Sequence, residues 1–233
     1  GLSTTRVLLD NGFNGRQLRL RLARAGLTIQ DIDAVVLTHE HGDHVGGVGT
    51  LLKRRRMPLY CSAGTAGAAA LADDFIEVRD GETFVIGALQ LAPFAVAHDA
   101  AQPLQYVFGD GERRLGVLTD VGAPDSAVID ALGGVDALLL ECNHDVAMLR
   151  AGGYPPFLQA RILGEFGHLS NAQAAALLAA IDRKRLGLVA AAHLSRRNNQ
   201  PRLARAALAA VLGCGDDEVL VADQDDGLPW QRC

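Results

Sequence analysis

The feature that most constrains this 233-residue chain is the window His39-Glu40-His41-Gly42-Asp43-His44, which directly follows the apolar run Ala34–Leu37. A short continuous apolar run is typical of a strand covered on both faces. Side chains two residues apart point the same way on an extended chain, so the first two histidines face one point. The aspartate and the last histidine follow where the chain turns into a helix, and they can face a second point nearby. Because imidazole and carboxylate are good ligands for zinc, manganese or iron, the window predicts a metal site.

Three further residues complete a ligand set, since His98, Asp120 and His193 each end a predicted strand. Sites in layered α/β proteins gather at strand ends, where loops converge while the sheet stays rigid. Taken alone, each is more simply explained as a polar loop residue. Taken with the window, they predict two divalent ions about 3.5–4 Å apart. One ion would be bound by His39, His41 and His98, the other by Asp43, His44 and His193, with Asp120 bridging the two. Zinc is the expected metal, with manganese or iron as alternatives.

Apolar runs and helical periodicity alternate along the chain and predict an α/β architecture. The predicted strands are Thr5–Leu9, Ala34–Leu37, Leu59–Cys61, Phe75–Val78, Thr83–Ile86, Leu89–Ala97, Tyr106–Phe108, Leu115–Thr119, Ala137–Glu141, Leu186–Ala192 and Glu218–Ala222. The predicted helices are Gly15–Ala25, one through Leu51 and Leu52 that ends near Lys53–Arg56, Pro124–Leu132, Asn171–Ile181 and Arg202–Leu212. Strand-rich blocks interleave with helices in both halves of the chain. This order is compatible with two sheets packed face to face and helices on the outside. The length suits one domain spanning residues 1–233.

Composition narrows the functional class. The net charge of −5 argues against a general nucleic-acid coat, so any nucleic-acid contact must come from a local basic patch. The four cysteines are scattered without a Cys-x-x-Cys pair, which predicts free thiols in a reducing, cytoplasmic compartment. No signal peptide and no apolar run long enough to cross a membrane is present, so no membrane partner is expected. The sequence leaves the oligomeric state open.

The order of these residues resembles that of the metallo-β-lactamase superfamily over essentially the whole chain. The matching positions are Asp10, His39-Glu40-His41-Gly42-Asp43-His44, His98, Asp120 and His193. The resemblance implies the four-layer αββα sandwich and a site for two metal ions. Members usually open with a strand and a Gly/Ser-rich loop before the position of Thr4, and that segment is not represented in this sequence.

A narrower resemblance is to the bacterial YycJ/WalJ-type group, which is related to the RNase Z branch and whose members are described as DNA exonucleases. The motifs that carry it are Val96-Ala97-His98-Asp99-Ala100, Thr119-Asp120-Val121-Gly122, Glu141-Cys142-Asn143-His144-Asp145, Gly167-His168-Leu169-Ser170-Asn171 and His193-Leu194-Ser195-Arg196-Arg197-Asn198-Asn199. The resemblance implies that His168 lies near the scissile phosphate. Asp10 is expected to orient a ligand histidine by accepting its second ring N–H, or to cap the turn at Asn11-Gly12.

Substrate contacts are expected from polar residues of the same motifs, namely His144, Ser170, Asn171, Ser195, Arg196, Asn198 and Asn199. Helix capping explains Ser170 or Asn171 equally well, and a polar helix start explains His144. Ser195, Asn198 and Asn199 could instead only shape the loop that presents His193. The candidates for phosphate contacts are Arg196 and Arg197, followed by Arg202 and Arg205, and the cluster Lys53–Arg56. A solvated helix face explains Lys53–Arg56 slightly better, whereas Arg196 and Arg197 lie beside a predicted metal ligand, which favours function there. Few aromatic residues accompany them, which argues against a stacking platform for single strands.

These observations predict a dinuclear metal-dependent phosphodiesterase, a nuclease acting on DNA or RNA, that uses a hydroxide bridging the metals. Asp43 would orient the attacking group, and His168 would act as general acid. One alternative is a hydrolase of small molecules such as a thioester, lactone or cyclic phosphate, which the acidic net charge favours. Another is a metal-binding or partner-binding domain without activity, which the complete ligand set disfavours.

Overall fold

A computed structural model describes residues 4–71 and 74–233 of the chain. It divides into two compact units. Unit 1 comprises Gly1–Ala95 and Ala100–Gly111, and unit 2 comprises Val96–Asp99 and Glu112–Cys233.

Unit 1 contains seven strands and four helices among its described residues. The strands are β1 (Val7–Leu9), β2 (Ala34–Val36), β3 (Leu59–Cys61), β4 (Ile76–Glu77), β5 (Phe84–Ile86), β6 (Leu89–Ala95) and β7 (Leu104–Gly109). The helices are α1 (Gly15–Arg24), α2 (Gly42–Val45), α3 (Val48–Arg54) and α4 (Ala63–Ala68). Strands β1 to β4 pair in parallel in chain order, and β5 to β7 form consecutive antiparallel pairs.

Strand β2 lies between two apolar cores, as its unbroken apolar sequence predicts. Val35 and Leu37 pack with α1 and α3 in one cluster, while Ala34 and Val36 pack with the antiparallel strands in the other. All four side chains are fully buried. The hydroxyl of Tyr106 on β7 donates a hydrogen bond of 2.8 Å to the carbonyl of Leu37. The start of the histidine window is therefore fixed from both sides.

Unit 2 contains a parallel sheet with strands β8 (Arg114–Leu118), β9 (Ala137–Glu141), β10 (Leu188–Ala192) and β11 (Leu220–Val221). Its helices are α5 (Ser126–Leu132), α6 (Val146–Ala151), α7 (Pro156–Leu163), α8 (Asn171–Ala180) and α9 (Pro201–Leu212). Leu118 pairs with Leu140, and Ala192 pairs with Glu141. Because parallel strands end at one edge, this register brings the segments that follow β8, β9 and β10 together.

Most predicted elements are confirmed to within a few residues, and three predictions need correction. The single helix expected through Leu51 is split, because α2 ends before Gly46 and α3 begins after Gly47. Helices α4 and α7 were not predicted, since α4 is a short run of small residues and α7 begins at two prolines and has no buried residue. The last strand is shorter than expected, because Asp216–Glu218 forms a 3-10 turn before it.

Two other features of the described chain bear on the sequence predictions. Cys61, Cys142 and Cys214 carry free thiols. A search of residues 4–71 and 74–233 finds no helix with the length and hydropathy needed to span a bilayer.

Candidate metal centre

In unit 1, Asp10 lies at the end of β1 and holds the histidine window in place. Its carboxylate accepts hydrogen bonds from the backbone N–H and the hydroxyl of Thr38, both at 2.8 Å. The same carboxylate lies 2.8 Å from Nδ1 of His44. An imidazole whose Nδ1 is bound to a carboxylate presents Nε2 to a metal with a fixed ring orientation. The role of Asp10 behind a metal-binding histidine stays a prediction.

The histidine rings of the window form a tight group. The ring centroid of His39 lies 4.6 Å from that of His41 and 4.0 Å from that of His44. His39 and His44 are buried, whereas the carboxylate of Asp43 is 71% exposed. Backbone packing sets this arrangement, because a Cβ atom at Gly12 would lie 1.8 Å from the carbonyl oxygen of Asp43. Only glycine fits at that position.

In unit 2, the centre of the site is Glu141, a fully buried carboxylate that the sequence analysis did not select. Its Oε1 lies 2.9 Å from Nδ1 of His168 and 2.7 Å from Nδ1 of His193. Its Oε2 accepts hydrogen bonds from the backbone N–H groups of Val121 at 3.2 Å and Leu169 at 3.0 Å. One side chain thus connects the segments that follow β8 and β10 with the loop before α8.

The electrostatics of Glu141 follow from those bonds. Burial by itself would raise the pKa of this carboxyl group, but the hydrogen bonds and charges of His168 and His193 outweigh burial and lower the pKa below its usual range. Glu141 is therefore an ionised acceptor. The available signal in the sequence was a glutamate that ends the apolar run Ala137–Leu140, because a charge on a buried strand requires partners.

Asp120 and His193 project into the same part of unit 2 from strained backbone. Their φ angles are 56° and 57°, and Asp10 of unit 1 has a φ of 58°. Left-handed conformations at non-glycine residues cost about 1–3 kcal/mol and cluster at functional sites. Oδ1 of Asp120 lies 3.6 Å from Nδ1 of both His168 and His193.

His98 joins this cluster from the segment Val96–Asp99. Its Nδ1 donates a hydrogen bond of 3.2 Å to the carbonyl of Gly167, and its Nε2 lies 3.9 Å from Oδ1 of Asp120. Burial lowers the pKa of His98, which favours the neutral ring that can bind a metal. The ring centroid of His168 lies 5.4 Å from those of both His98 and His193.

Most of the chain matches a known protein family. The profile described as the beta-lactamase superfamily domain matches residues 5–189. The chain belongs to the beta-lactamase superfamily. The family resemblance predicted from the motifs is confirmed.

Relatives and solved structures define the place of the chain in the superfamily. It is 34% identical to the exodeoxyribonuclease YycJ of Bacillus anthracis over 98% of this chain and 90% of the relative. It is 32% identical to the exodeoxyribonuclease WalJ of Streptococcus pneumoniae over 92% of this chain and 82% of the relative. The metallo-β-lactamase fold protein YhfI of Bacillus subtilis aligns with a TM-score of 0.72 at 19% identity, covering 96% of this chain and 86% of YhfI. The chain therefore has the metallo-β-lactamase fold.

The metallo-β-lactamase fold implies a divalent metal ion. Each unit supplies imidazole and carboxylate groups, which are suitable ligands for such an ion. In unit 2, one ligand atom from each of Asp120, Glu141, His168 and His193 lies within 4.8 Å of the others. Glu141 is an unsuitable ligand within this group, because both of its oxygens already accept hydrogen bonds. Its role is to orient the two imidazoles, as carboxylates commonly do beside metal-binding histidines.

The structure places most of the residues expected to contact substrate inside the fold. Those buried are His144, Ser170, Asn171, Asn198 and Asn199. The amides of Asn171 and Asn199 bind each other at 2.9 and 2.8 Å, and Ser170 caps α8 together with Gln173. Capping and loop shaping, the alternatives considered from sequence, account for the contacts of Ser170, Asn171 and Asn199.

Two of the expected contact residues reach the surface. Ser195 is partly exposed, and its hydroxyl accepts a hydrogen bond of 3.2 Å from the backbone N–H of Asn198. Arg196 is exposed, but its guanidinium binds the side chains of Gln224 and Asp225. The neighbouring Arg197 lies 5.8 Å above the ring of Tyr154. The basic segment beside His193 is therefore partly neutralised by the chain itself.

Proposed function

We propose that this protein is a metal-dependent phosphodiesterase that degrades DNA from an end. The observation that carries the proposal is the similarity to two exodeoxyribonucleases along nearly the whole chain, with the candidate site included. The arrangement of Glu141, His168 and His193 supports it, because it supplies two oriented imidazoles beside a carboxylate. The free thiols fit an enzyme that works on DNA in the cytoplasm.

The proposed ligands are those expected from the sequence, with two zinc ions as the expected cofactor. His39, His41 and His98 would bind one ion, Asp43, His44 and His193 the other, and Asp120 would bind both. Divalent ions in such a site supply a nucleophile near neutral pH and neutralise charge on the phosphate oxygens. Asp10 and Glu141 hold His44 and His193 by their Nδ1 atoms, so coordination by these rings would use Nε2.

His168 is the proposed general acid. Its Nδ1 is held by Glu141, so its Nε2 points away from the buried carboxylate. The side chain is 24% exposed, which lets a substrate reach it. A proton on Nε2 would pass to the leaving oxygen of the phosphodiester. The carboxylate of Glu141 supports this role because it fixes the orientation of the ring through Nδ1.

Asp43 is proposed to orient the attacking water. It lies in the first turn of α2, and its carboxylate is 71% exposed. An exposed carboxylate next to His44 can accept a hydrogen bond from the attacking water and so orient it.

A second candidate function is hydrolysis of a small diester or ester. The observations that favour it are the net charge of −5 and the engagement of Arg196 by Gln224 and Asp225. Both reduce the positive potential that a long polyanion would meet.

The test is an assay on end-labelled single-stranded and double-stranded DNA and RNA, in the presence of zinc, manganese or magnesium. We expect stepwise shortening of DNA that is abolished by a chelator and by Asp120→Ala. The matched control is Asp110→Ala, an aspartate in the turn between β7 and β8. Hydrolysis of bis-p-nitrophenyl phosphate without degradation of any nucleic acid, with every metal tried, would favour the small-molecule hydrolase.

A further inference from the structure

Phe166 is a large apolar side chain that is 54% exposed and lies two residues before His168. A single exposed apolar residue is ordinary on a soluble protein, so exposure alone carries no functional meaning. Two further observations indicate a function for Phe166. Its loop has a tightly held backbone, and that loop is part of the candidate site.

The backbone on both sides of Phe166 is held tightly. The N–H of Gly167 donates to the carbonyl of Gly164, and the N–H of His168 donates to that of Ile162, both at 3.0 Å. A Cβ atom at Gly167 would lie 2.2 Å from the carbonyl oxygen of Ile162. A Cβ atom at Gly122 would likewise lie 2.3 Å from that of Glu165. The backbone that carries the exposed ring is therefore fixed by the fold.

The same loop is part of the candidate site. The carbonyl of Gly167 accepts the hydrogen bond from His98, and His168 is bound to Glu141. Two residues of extended chain span at most about 7 Å, so the Cα atoms of Phe166 and His168 are no farther apart than that. This distance is within the reach of a nucleotide whose phosphate lies at His168 and whose base extends to the side.

Charge indicates which part of a nucleotide would face this surface. Glu165 precedes Phe166 and is exposed, so its carboxylate repels a phosphate. The phenyl ring offers no hydrogen-bond donor or acceptor, but it offers a face on which a base can stack. Glu165 and Phe166 therefore both favour a neutral, flat group, such as a base, over a phosphate.

We propose that Phe166 stacks on the base of a nucleotide adjacent to the scissile phosphate. The inference rests on the proposed function and adds to it a contact with the base at a strand end, because a base inside a duplex has both faces covered by its stacked neighbours. Stacking tolerates every base, so this contact would not impose sequence preference. It also revises the expectation, drawn from the scarcity of aromatic residues near the basic clusters, that no stacking platform exists.

The experiment compares wild type, Phe166→Ala and Phe166→Trp on two single-stranded DNA oligonucleotides. One carries normal nucleotides throughout, and the other has base-free tetrahydrofuran residues at both ends. We expect Phe166→Ala to raise KM on the normal oligonucleotide about 5- to 150-fold, the usual effect of losing one stacking contact. On the base-free ends we expect a change below about twofold, and Phe166→Trp should restore the KM.

Phe157→Ala is the matched control, since this phenylalanine is 75% exposed on α7 but is not part of the loop before His168. We expect no change in KM for this variant. The stacking role would be overturned if Phe166→Ala raised KM equally on both oligonucleotides. It would also be overturned if Phe157→Ala raised KM on the normal oligonucleotide as much as Phe166→Ala does. A shift of Phe166→Ala in size-exclusion elution would overturn it too, because the ring would then serve self-association. A wild-type protein inactive on all nucleic acids contradicts both the proposed function and this inference, whereas an active wild type with an unaffected Phe166→Ala contradicts this inference alone.

Discussion

At the scale of single residues, Glu141 determines the geometry of unit 2. Replacing it by glutamine keeps the size of the side chain but removes the charge that both imidazoles require. We expect Glu141→Gln to weaken metal binding about 10- to 100-fold, the usual effect of losing a carboxylate behind a ligand histidine. Isothermal titration with zinc measures this, with the exposed Glu165→Gln as control. An unchanged zinc affinity in Glu141→Gln would contradict the role assigned to it.

His168 and His193 share the same carboxylate partner, and the proposed roles separate them. His193→Ala should lose metal and activity together. His168→Ala should keep its metal and lose about 10²–10⁴-fold in kcat on DNA, the scale of a lost general acid. The loss should be smaller for a diester whose leaving group is p-nitrophenolate, which needs little protonation. Metal content and kcat on both substrates decide this, and loss of metal in His168→Ala would show that it is a ligand.

The sequence predicted the candidate ligands because they are local or lie at strand ends, where apolar runs reveal them. Glu141 was missed for a physical reason. Its partners lie 27 and 52 residues farther along the chain, and only the pairing of β9 with β10 brings His193 close to it. The burial of Asn171 and Asn199 was missed for the same reason, since each amide satisfies the other across a separation of 28 residues.

At the scale of elements, the loop after β1 packs directly against α2. The absence of a side chain at Gly12 permits this contact, because the backbone of Asp43 occupies the space of a Cβ atom. We expect Gly12→Ala to displace α2, lower the melting temperature and reduce metal binding. Gly49→Ala on α3 is the matched control, since no atom lies within 4 Å of its added Cβ. That variant should gain about 0.5–1 kcal/mol, the usual preference for alanine within a helix. Equal melting temperatures for the two variants would contradict the packing argument.

Elements with a strong apolar period were predicted with accurate bounds, and weakly patterned ones were not. Strand β9 begins and ends at the predicted residues because it is apolar throughout and ends at a charge. Helix α7 escaped prediction because it buries no side chain and so has no apolar face to recognise. Propensity and context determine such a helix, and propensity alone is a weak signal.

At the scale of the whole molecule, the alternation of strands and helices indicated only a layered α/β protein, and the motif order was needed to specify the fold. The prediction of one domain over residues 1–233 remains a prediction, beside the division of the chain into two compact units. Periodicity describes which face of an element is apolar, but it does not say which elements pack together.

The stability of the molecule toward acid depends on Asp136, which immediately precedes β9. Burial would raise the pKa of its carboxyl group, but the backbone N–H of Arg114 and the side chains of Arg113 and Arg185 lower the pKa to about 2. A folded-state pKa below the ordinary value of 3.8 means that the ionised form stabilises the fold. That contribution is complete above about pH 4 and disappears as the pH falls through about 2.

We therefore expect Asp136→Asn to lower the free energy of unfolding by a constant amount between about pH 5 and 7. The difference from wild type should narrow between about pH 4 and 2. Urea denaturation of both proteins across this range measures the difference, with Asp130→Asn on α5 as a control. A difference between Asp136→Asn and wild type that stays constant down to pH 2 would mean that Asp136 contributes through packing and neutral hydrogen bonds, because only an ionised carboxylate loses its contribution on protonation.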